Sequence, residues 1–484
     1  MKTKIQEKSR KTRLIIILVV VFQLLGLLSA VHSIMSVRTP QGSIAWAVSL
    51  VAMPYVAVPA YWVFGRSKFR GYVLARQHEL ELIDNLIRRA NEQITHVAEL
   101  DDWRSGALAG AEKMARIPLT GGNNVDLLVD GDATFASIFD GIDAAEDYVL
   151  VQFYIVRDDG LGRELKSRLI AKAESGVKVH FLYDEVGSLG LPNSYSGQLR
   201  SAGVEIHPFH SRKGSGNRFQ LNFRNHRKTV IVDGRIAWVG GHNVGDEYLG
   251  RDPAFGHWRD THVRIEGPAV IGAQLAFVED WRWAADELLT NLSWDAHRPA
   301  DGEARALIIA SGPADEMETA SLMYTQAINS ATKRIWIASP YFVPDDAIVQ
   351  ALQLAGLRGV DVRILIPEKA DSKLVTLAAY SYFTDVKTAG VKIYRYQDGF
   401  LHGKSALIDD NVAIVGTANF DNRSFRLNFE ISAVVADVEF ASDVEEMFEN
   451  DFAASRLMEP DEYDNKPFWF RLAVRTTRLT APVL

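Results

Sequence analysis

The chain has 484 residues, of which 47% are hydrophobic, so it is long enough for two domains with full cores and a smaller additional segment. Its net charge of −8 at pH 7 disfavours a nucleic-acid partner. The absence of cysteine excludes disulfides, a thiol nucleophile and cysteine-ligated metals.

Two apolar runs open the chain, Leu14 to Ile34 and Ile44 to Phe64, and each is close to the ~20 residues that cross a bilayer as a helix. Residues 1–65 are therefore predicted to form a transmembrane hairpin. Basic residues flank its two outer ends, namely Lys2, Lys4, Lys8, Arg10, Lys11 and Arg13 before it and Arg66, Lys68, Arg70 and Arg76 after it. Since the connecting loop has only Arg38, the positive-inside rule places both termini and the soluble body in the cytoplasm. A cleaved signal peptide is the alternative, but the first run exceeds the roughly 7–15 residues of a signal core.

Residues 66–118 are predicted to be a connector. Apolar residues at partly helical spacing indicate an amphipathic helix that packs on the body or lies on headgroups, namely Leu74, Leu80, Leu82, Ile83, Leu86 and Ile87. Ile117-Pro118 and the turn formers from Thr120 to Asn124 predict a break there. The first soluble domain is therefore expected to begin at residue 119.

Short β-branched runs then alternate with helical stretches, which predicts an α/β fold. In the first half the predicted strands are Asp126–Val129, Tyr148–Phe153 and Val177–Leu182, and the predicted helices are Thr134–Ala145 and Arg163–Ser175. In the second half the predicted strands are Arg334–Ile337 and Val360–Ile366, with a helix over Asp346–Ala355. The repetition indicates two tandem domains, 119–299 and 300–484. The extra length of the first domain is assigned to residues 188–222, a surface loop whose Arg212, Lys213 and Arg218 are also suited to contact anionic headgroups.

One spaced motif occurs twice with identical intervals. Its two copies are His226, Lys228, Asp233, Gly240 and Asn243, and His402, Lys404, Asp409, Gly416 and Asn419. A single His-x-Lys is most simply a surface strand end, whereas two copies with the same offsets indicate two halves of one site.

In each copy two apolar strands flank a turn at Asp233 or Asp409, which predicts a β-hairpin. Because residues i and i+2 of a strand point to one face, each histidine projects together with its lysine. Asp233 and Asp409 belong to the predicted catalytic motif, although strand alternation places them on the opposite face, as turn or supporting groups.

Two imidazoles, two ammonium groups and two carboxamides suffice for phosphodiester chemistry without a metal or cofactor. One histidine attacks phosphorus and the other protonates the leaving alcohol. Lys228, Lys404, Asn243 and Asn419 are predicted to bind the phosphoryl oxygens. An attacking imidazole is usually oriented by a carboxylate, and Asp260 and Glu430, which follow the two histidines at similar distances, are the candidates.

The duplicated motif resembles that of the phospholipase D superfamily. Within it, three stretches are similar to the bacterial cardiolipin synthase branch: Gly241–Leu249, His257–His262 and Gly416–Phe425. The resemblance implies two domains about a pseudo-twofold axis at the bacterial inner (cell) membrane. It also implies transfer of a phosphatidyl group between two phosphatidylglycerol molecules, with release of glycerol and no nucleic-acid partner. Carried over, His226 is the nucleophile that forms a phosphatidyl-histidine and His402 is the acid and base, although the reverse order stays open.

Four alternatives remain. A phospholipase D-type hydrolase or another phosphatidyltransferase would use the same residues. A membrane-tethered nuclease is disfavoured by the acidic balance, and a non-enzymatic scaffold by the intact motifs.

The tail from Phe468 to Val474 predicts either an interfacial helix or a docked carboxy-terminal segment.

Overall fold

A computed structural model describes residues 2–37, 39–65, 68–69, 71–73, 85, 87–89, 91–92, 108, 110–210, 222–459 and 461–483. The chain separates into two compact units, Met1–Val73 with Ser211–Phe223, and Leu74–His210 with Arg224–Leu484. Most of the predicted amphipathic connector helix lies outside the described residues, as do the three cations of the predicted basic loop, Arg212, Lys213 and Arg218.

The first unit contains a long apolar helix followed by two short ones: α1 (Lys2–Ser36), α2 (Pro40–Ala52) and α3 (Pro54–Phe64). Among the described residues, only α1 contains a stretch long and apolar enough to cross a membrane. The predicted two-helix hairpin is therefore wrong, because the second apolar run is broken at Met53. Pro54 occupies the first position of α3, where its ring disfavours a helical conformation for the residue before it.

The second unit is built on one large sheet, with two further sheets of two short strands each, Trp258–Arg259 with Phe400–Leu401 and Phe342–Val343 with Phe420–Asp421. Its first-half strands are β1 (Thr120–Val129), β2 (Tyr148–Phe153), β3 (Lys178–Asp184), β4 (Glu205–Phe209), β5 (Arg224–Asn225), β6 (Thr229–Val232), β7 (Ile236–Gly240), β8 (Trp258–Arg259) and β9 (Thr261–Glu266). Its second-half strands are β10 (Ala304–Ser311), β11 (Arg334–Ala338), β12 (Phe342–Val343), β13 (Asp361–Pro367), β14 (Lys392–Tyr396), β15 (Phe400–Leu401), β16 (Ser405–Ile408), β17 (Val412–Gly416), β18 (Phe420–Asp421), β19 (Asn428–Ala436) and β20 (Ser455–Leu457).

The strand order is the same on both sides of the sheet's centre. There β1 pairs antiparallel with β10, and reading outward the order is β9-β7-β6-β2-β3-β4 on one side and β19-β17-β16-β11-β13-β14 on the other. Each member of one series has a counterpart at the same place in the other. The two halves thus meet along β1 and β10 and share one continuous sheet.

Helices accompany the strands in both halves. They are α4 (Ala111–Ala115), α5 (Asp130–Ala144), α6 (Gly160–Glu174), α7 (Asn193–Ser201), α8 (Val270–Ala285), α9 (Thr319–Ser330), α10 (Asp346–Leu357), α11 (Lys373–Lys387), α12 (Asn422–Arg426), α13 (Val438–Ala453) and α14 (Phe468–Arg478). The same local signal starts α6 and α10, since Asp159 and Asp345 each accept a hydrogen bond from a backbone N–H of the first turn. The alternation predicted from the sequence is confirmed, but the surface loop predicted over residues 188–222 is wrong in part, because that segment contains α7 and β4.

The predicted break at Thr120–Asn124 is wrong, because β1 already begins at Thr120. Its glycines and asparagines form an irregularity within the strand rather than a loop. The register against β10 shifts between Thr120 and Asn123, and Gly122 adopts a positive φ of 77°. The side chain of Asn123 donates to the carbonyl oxygens of Thr120 (2.9 Å) and Ala304 (3.1 Å), which stabilises the bulge.

Candidate active site

Two short parallel strand pairs bring the halves together at the repeated motif. Before His226, β5 runs beside the start of β19, and before His402, β15 runs beside β8. The backbone N–H of His226 then donates to the carbonyl of Phe429 (2.9 Å), and that of His402 donates to the carbonyl of Arg259 (2.7 Å). Each histidine is therefore anchored to the other half. The residue that accepts its hydrogen bond directly precedes a carboxylate residue there.

Those carboxylates contact the histidines of the opposite half. His226 Nδ1 lies 3.0 and 2.9 Å from the two carboxylate oxygens of Glu430, and His402 Nδ1 lies 2.6 Å from Asp260 Oδ2. Each carboxylate therefore contacts the histidine of the other half and not the one that precedes it in its own half, because the parallel strands exchange the carboxylates between the halves.

Each carboxylate has its own supports. Glu430 accepts hydrogen bonds from the Thr417 hydroxyl (2.6 Å) and the Asn428 amide (3.1 Å). Asp260 accepts from the Thr261 backbone N–H (2.8 Å) and more distantly from the Trp258 indole (3.4 Å). Both carboxylates are fully buried, so these bonds fix the orientation of the histidines.

Gly241 and Thr417 occupy the same place in the two copies of the motif but meet different carboxylates. A Cβ on Gly241 would lie 1.9 Å from Asp260 Oδ1, so only glycine leaves room for the aspartate. In the other copy the Thr417 hydroxyl instead donates to the longer Glu430 side chain. The difference between the copies therefore follows from the length of the carboxylate side chain.

Gly241→Thr, which copies the residue of the second half, is expected to displace Asp260 from His402 and to lower activity about 10–100-fold. Gly197→Thr is the matched control, because a Cβ at Gly197 meets no atom within 4 Å. Initial rates of the two purified variants, with circular dichroism to confirm folding, measure the effect. Equal activity of both variants would show that the close approach to Asp260 is unimportant.

The two lysines are buried beside their histidines. Lys228 Nζ donates to the carbonyl of His226 (2.6 Å), and Lys404 Nζ contacts the carbonyl of His402. Burial lowers the pKa of Lys228 to about 7 and that of Lys404 to about 8, against the attraction of the nearby carboxylates. An anionic phosphodiester in the site would favour the charged form of both, which couples substrate binding to the protonation of the lysines.

Burial also lowers the pKa of His226 to about 4 and that of His402 to about 3, although Glu430 and Asp260 oppose the shift. Lys404 acts electrostatically on His226, and Lys228 acts on His402, so the two motifs share one electrostatic environment. Burial therefore favours the neutral form of both imidazoles when the site holds no anion, and a bound phosphodiester favours protonation of the histidine that acts as the acid. A neutral imidazole is the form that can attack phosphorus.

The two motif asparagines are buried, with 2% of Asn243 and 6% of Asn419 exposed. The side-chain oxygen of Asn243 accepts a hydrogen bond from the backbone N–H of Ile155 (3.0 Å), which follows β2. The Asn419 side-chain oxygen has no hydrogen-bond partner within the described part of the chain. Their predicted binding of phosphoryl oxygens stays a prediction.

Asp233 and Asp409 lie in the turns of the two β-hairpins, at the far ends of the strands that follow the lysines. The Asp233 carboxylate accepts from the backbone N–H groups of Glu146, Asp147 and Tyr148 at 2.8–2.9 Å. The Asp409 carboxylate binds the corresponding backbone N–H groups of residues 332–334 at 2.7–3.1 Å. The oxygens of both aspartates thus hold the start of β2 and β11, in keeping with the predicted turn or supporting role, and their place in the catalytic motif stays a prediction.

Asp233→Ala is expected to lower the free energy of unfolding by about 1–3 kcal/mol, since backbone donors lose their acceptor. Activity per folded molecule should change little. Chemical unfolding in detergent, together with kcat, measures both quantities, and Asp233→Asn should fall between the parent and the alanine variant. A loss of activity above about tenfold without a loss of stability would return Asp233 to the reacting residues.

The sequence reasoning missed several side chains around the site. The Tyr154 ring packs edge-on against His226, with centroids 4.9 Å apart, and the Trp258 ring packs against His402 at 5.0 Å. Tyr154 and Tyr341 share a repeated context in the sequence, a signal that could have marked Tyr154. No repeat signal marks Trp258, because Asn428 stands at the corresponding place.

Two buried arginines of the first half, Arg227 and Arg259, were also missed. Arg227 pairs with Asp280 (2.9 Å), and Arg259 pairs with Asp451 through two nitrogens (2.7 and 2.9 Å). Arg227 also donates to the carbonyl of Glu430 (3.1 Å), and Arg259 donates to the carbonyl of Asp260 (2.8 Å). Each arginine thus fixes the backbone that carries an orienting carboxylate.

The geometry can support displacement at phosphorus. Because the carboxylates engage Nδ1 of both imidazoles, Nε2 is the nitrogen left to act on a substrate. Within the described ranges, no group of three or more His, Asp and Glu side chains is arranged to hold a metal ion. The metal-free chemistry expected from the sequence stays a prediction.

Comparisons with known proteins identify the family of the chain. A family model described as "Cardiolipin synthase, PLD-like domain" matches residues 138–270 and 324–452. The chain is 48% identical over 470 residues to cardiolipin synthase A of Pseudomonas fluorescens, covering 96% of this chain and 98% of that protein. It is 47% identical over 482 residues to cardiolipin synthase A of Pseudomonas aeruginosa, covering 97% and 96%.

A solved structure, phosphatidylserine synthase from Haemophilus influenzae Rd KW20, matches with a TM-score of 0.60 at 14% identity. The match covers 78% of this chain and 100% of that one. At this identity the likeness concerns the fold alone.

Proposed function

Because the chain belongs to the cardiolipin synthases of the phospholipase D superfamily, with two PLD-like domains in tandem, we propose that its divided site transfers a phosphatidyl group from one phosphatidylglycerol to another. The products are cardiolipin and glycerol. The two domains, residues 119–299 and 300–484, are related by a pseudo-twofold axis between β1 and β10. The amino-terminal segment covers residues 1–65 and the connector residues 66–118.

In the first step, His226 Nε2 attacks the phosphorus of the donor phosphatidylglycerol. The bond from phosphorus to the glycerol oxygen breaks, and His402 gives that oxygen a proton, so that glycerol leaves. For this step His402 must be protonated, and the Asp260 carboxylate at its Nδ1 stabilises the imidazolium. A phosphatidyl-histidine remains on His226.

In the second step, His402 accepts the proton of a headgroup hydroxyl on a second phosphatidylglycerol. The hydroxyl oxygen attacks phosphorus, the bond from phosphorus to His226 breaks, and cardiolipin forms. Lys228, Lys404, Asn243 and Asn419 hold the non-bridging oxygens through both steps. One phosphodiester replaces another of similar energy, so no nucleotide is needed.

The exchange of Glu430 and Asp260 between the halves is the observation that carries this proposal. It gives each imidazole a carboxylate at Nδ1 and leaves Nε2 for the substrate. It also makes the two motifs one site, which a transfer with an attacking and a protonating histidine requires.

The experiment that tests the function is incubation of the purified protein with phosphatidylglycerol alone, followed by lipid and glycerol analysis. Cardiolipin and glycerol are expected in equal amounts, with the same yield in the presence of a chelator. Phosphatidic acid as the main product would favour a hydrolase instead. Incorporation of another added alcohol in preference to phosphatidylglycerol would favour a different phosphatidyltransferase.

We further propose that the protein is attached to the bacterial inner membrane through α1 and that its body lies in the cytoplasm. Basic residues precede the apolar region and follow it, which favours a cytoplasmic position on both sides. Because the chain lacks cysteine, a single cysteine introduced at the exposed Leu357 can report the location. A membrane-impermeant maleimide should label it only after the cells are opened.

A further inference from the structure

Helix α14, near the carboxyl terminus, is docked on the body through one face. Val474 and Thr477 are buried, and the Phe470 ring packs edge-on against Tyr380 of α11 with centroids 5.2 Å apart. The Arg478 guanidinium pairs with Asp385 of α11 (2.7 Å). The helix is therefore held in a fixed orientation, and its other face points away from the body.

That outer face is apolar, unlike most exposed helix faces. Four large side chains on it or just after the helix are strongly exposed: Phe468 (62%), Trp469 (74%), Leu472 (44%) and Leu479 (81%). Trp469, Leu472 and Leu479 follow the i, i+3, i+10 spacing of one helical stripe, opposite the buried residues. Several large apolar side chains exposed on one helix face mark a contact surface, whereas single exposed leucines are ordinary.

Cations border the stripe. Arg471 and Arg475 are exposed, lie one turn apart on the same side of the stripe, and form no ion pair within the described part of the chain. The nearby carboxylates have other partners, since Asp464 pairs with Lys387 (2.8 Å) and Glu462 with Arg456 (2.8 Å). An apolar stripe beside two arginines matches the combination that binds an anionic lipid surface.

We propose that the outer face of α14 binds the surface of an anionic bilayer, with Trp469, Leu472 and Leu479 entering the interface and Arg471 and Arg475 contacting headgroup phosphates. The surface is a second membrane contact in addition to α1. It rests on the proposed function only in naming phosphatidylglycerol as the anionic lipid. A second copy of the chain is the less suitable occupant, because a symmetric pair would place the same arginines against each other.

The test uses the full chain, whose lack of cysteine allows single-site labelling. Leu472→Cys carries an environment-sensitive fluorophore, and the protein is reconstituted in vesicles of phosphatidylglycerol and phosphatidylcholine with or without brominated acyl chains. Leu357→Cys, a leucine position on α10 that is even more exposed (75% against 44% for Leu472), is the matched control. We expect a blue shift and strong quenching by brominated lipid at position 472, and neither at position 357.

Adding Arg471→Gln and Arg475→Gln to the Leu472→Cys protein should reduce the quenching, as should vesicles of phosphatidylcholine alone. Equal quenching at positions 472 and 357 would overturn the proposal. Energy transfer between labelled copies without lipid quenching would also overturn it, by showing a second copy on this face. The readout needs no turnover, so a failure to form cardiolipin would contradict the proposed function and leave this inference to be judged separately.

Discussion

His226→Ala and His402→Ala are each expected to lower cardiolipin formation from phosphatidylglycerol by at least about 10³-fold, because each removes a group that reacts in both steps. His226→Ala removes the atom that bonds to phosphorus. His402→Ala removes the only proton donor proposed for the glycerol oxygen. Both residues are more than nine-tenths buried, so solvent does not readily replace either group.

A covalent trap separates the two roles. The donor is a radiolabelled lipid with an activated leaving group, which departs without receiving a proton. After a short incubation and an acid quench, the His402→Ala protein should carry the label. The His226→Ala protein should carry none. The opposite result would exchange the two roles. His297→Ala, at a half-exposed histidine remote from the motif in sequence, is the control and should retain full activity.

Glu430→Gln and Asp260→Asn are expected to lower activity by about 10²–10⁴-fold, since an amide cannot stabilise an imidazolium or hold the same tautomer as a carboxylate. The pairing between halves makes a sharper prediction. Glu430→Gln should slow formation of the covalent adduct, as expected of a change acting on His226. Asp260→Asn should slow glycerol release from the natural donor but leave adduct formation from the activated donor nearly intact.

Glu439→Gln, at an exposed carboxylate in the first turn of α13, is the matched control and should be neutral. The pH dependence of kcat adds a readout that general damage to the fold would not produce. Replacing the carboxylate that orients one histidine should shift the limb of the pH profile that reports the pKa of that histidine. If Glu430→Gln affected glycerol release and Asp260→Asn affected the adduct, the exchanged pairing would be wrong in solution.

Repetition in the sequence predicts much of this architecture. Identical offsets between His226 and Asn243 and between His402 and Asn419 identify the divided site without structural information, because local strand geometry depends only on spacing. The carboxylates illustrate the limit. Asp260 and Glu430 are recognisable as orienting groups, but which histidine each contacts depends on strands that pair across the halves, and chain spacing carries no information about that.

Local chemistry misled the prediction in two other places. The apolar run from Ile44 to Phe64 has the composition of a spanning helix, yet one proline divides it into α2 and α3. The glycines and asparagines after Thr120 are typical of a loop, yet tertiary pairing with β10 converts them into a bulge. In both cases the composition indicated the surroundings of the segment but not where its helix or strand is interrupted or continues.

The exchange of Glu430 and Asp260 also makes the two repeats depend on each other. A single repeat contains a histidine and a carboxylate that do not contact each other, so one repeat alone lacks an oriented imidazole. A one-repeat protein with this pairing would therefore have to work as a homodimer. In a single chain the two copies can differ, as Gly241 and Thr417 do, because each of these residues has to fit only the carboxylate beside it.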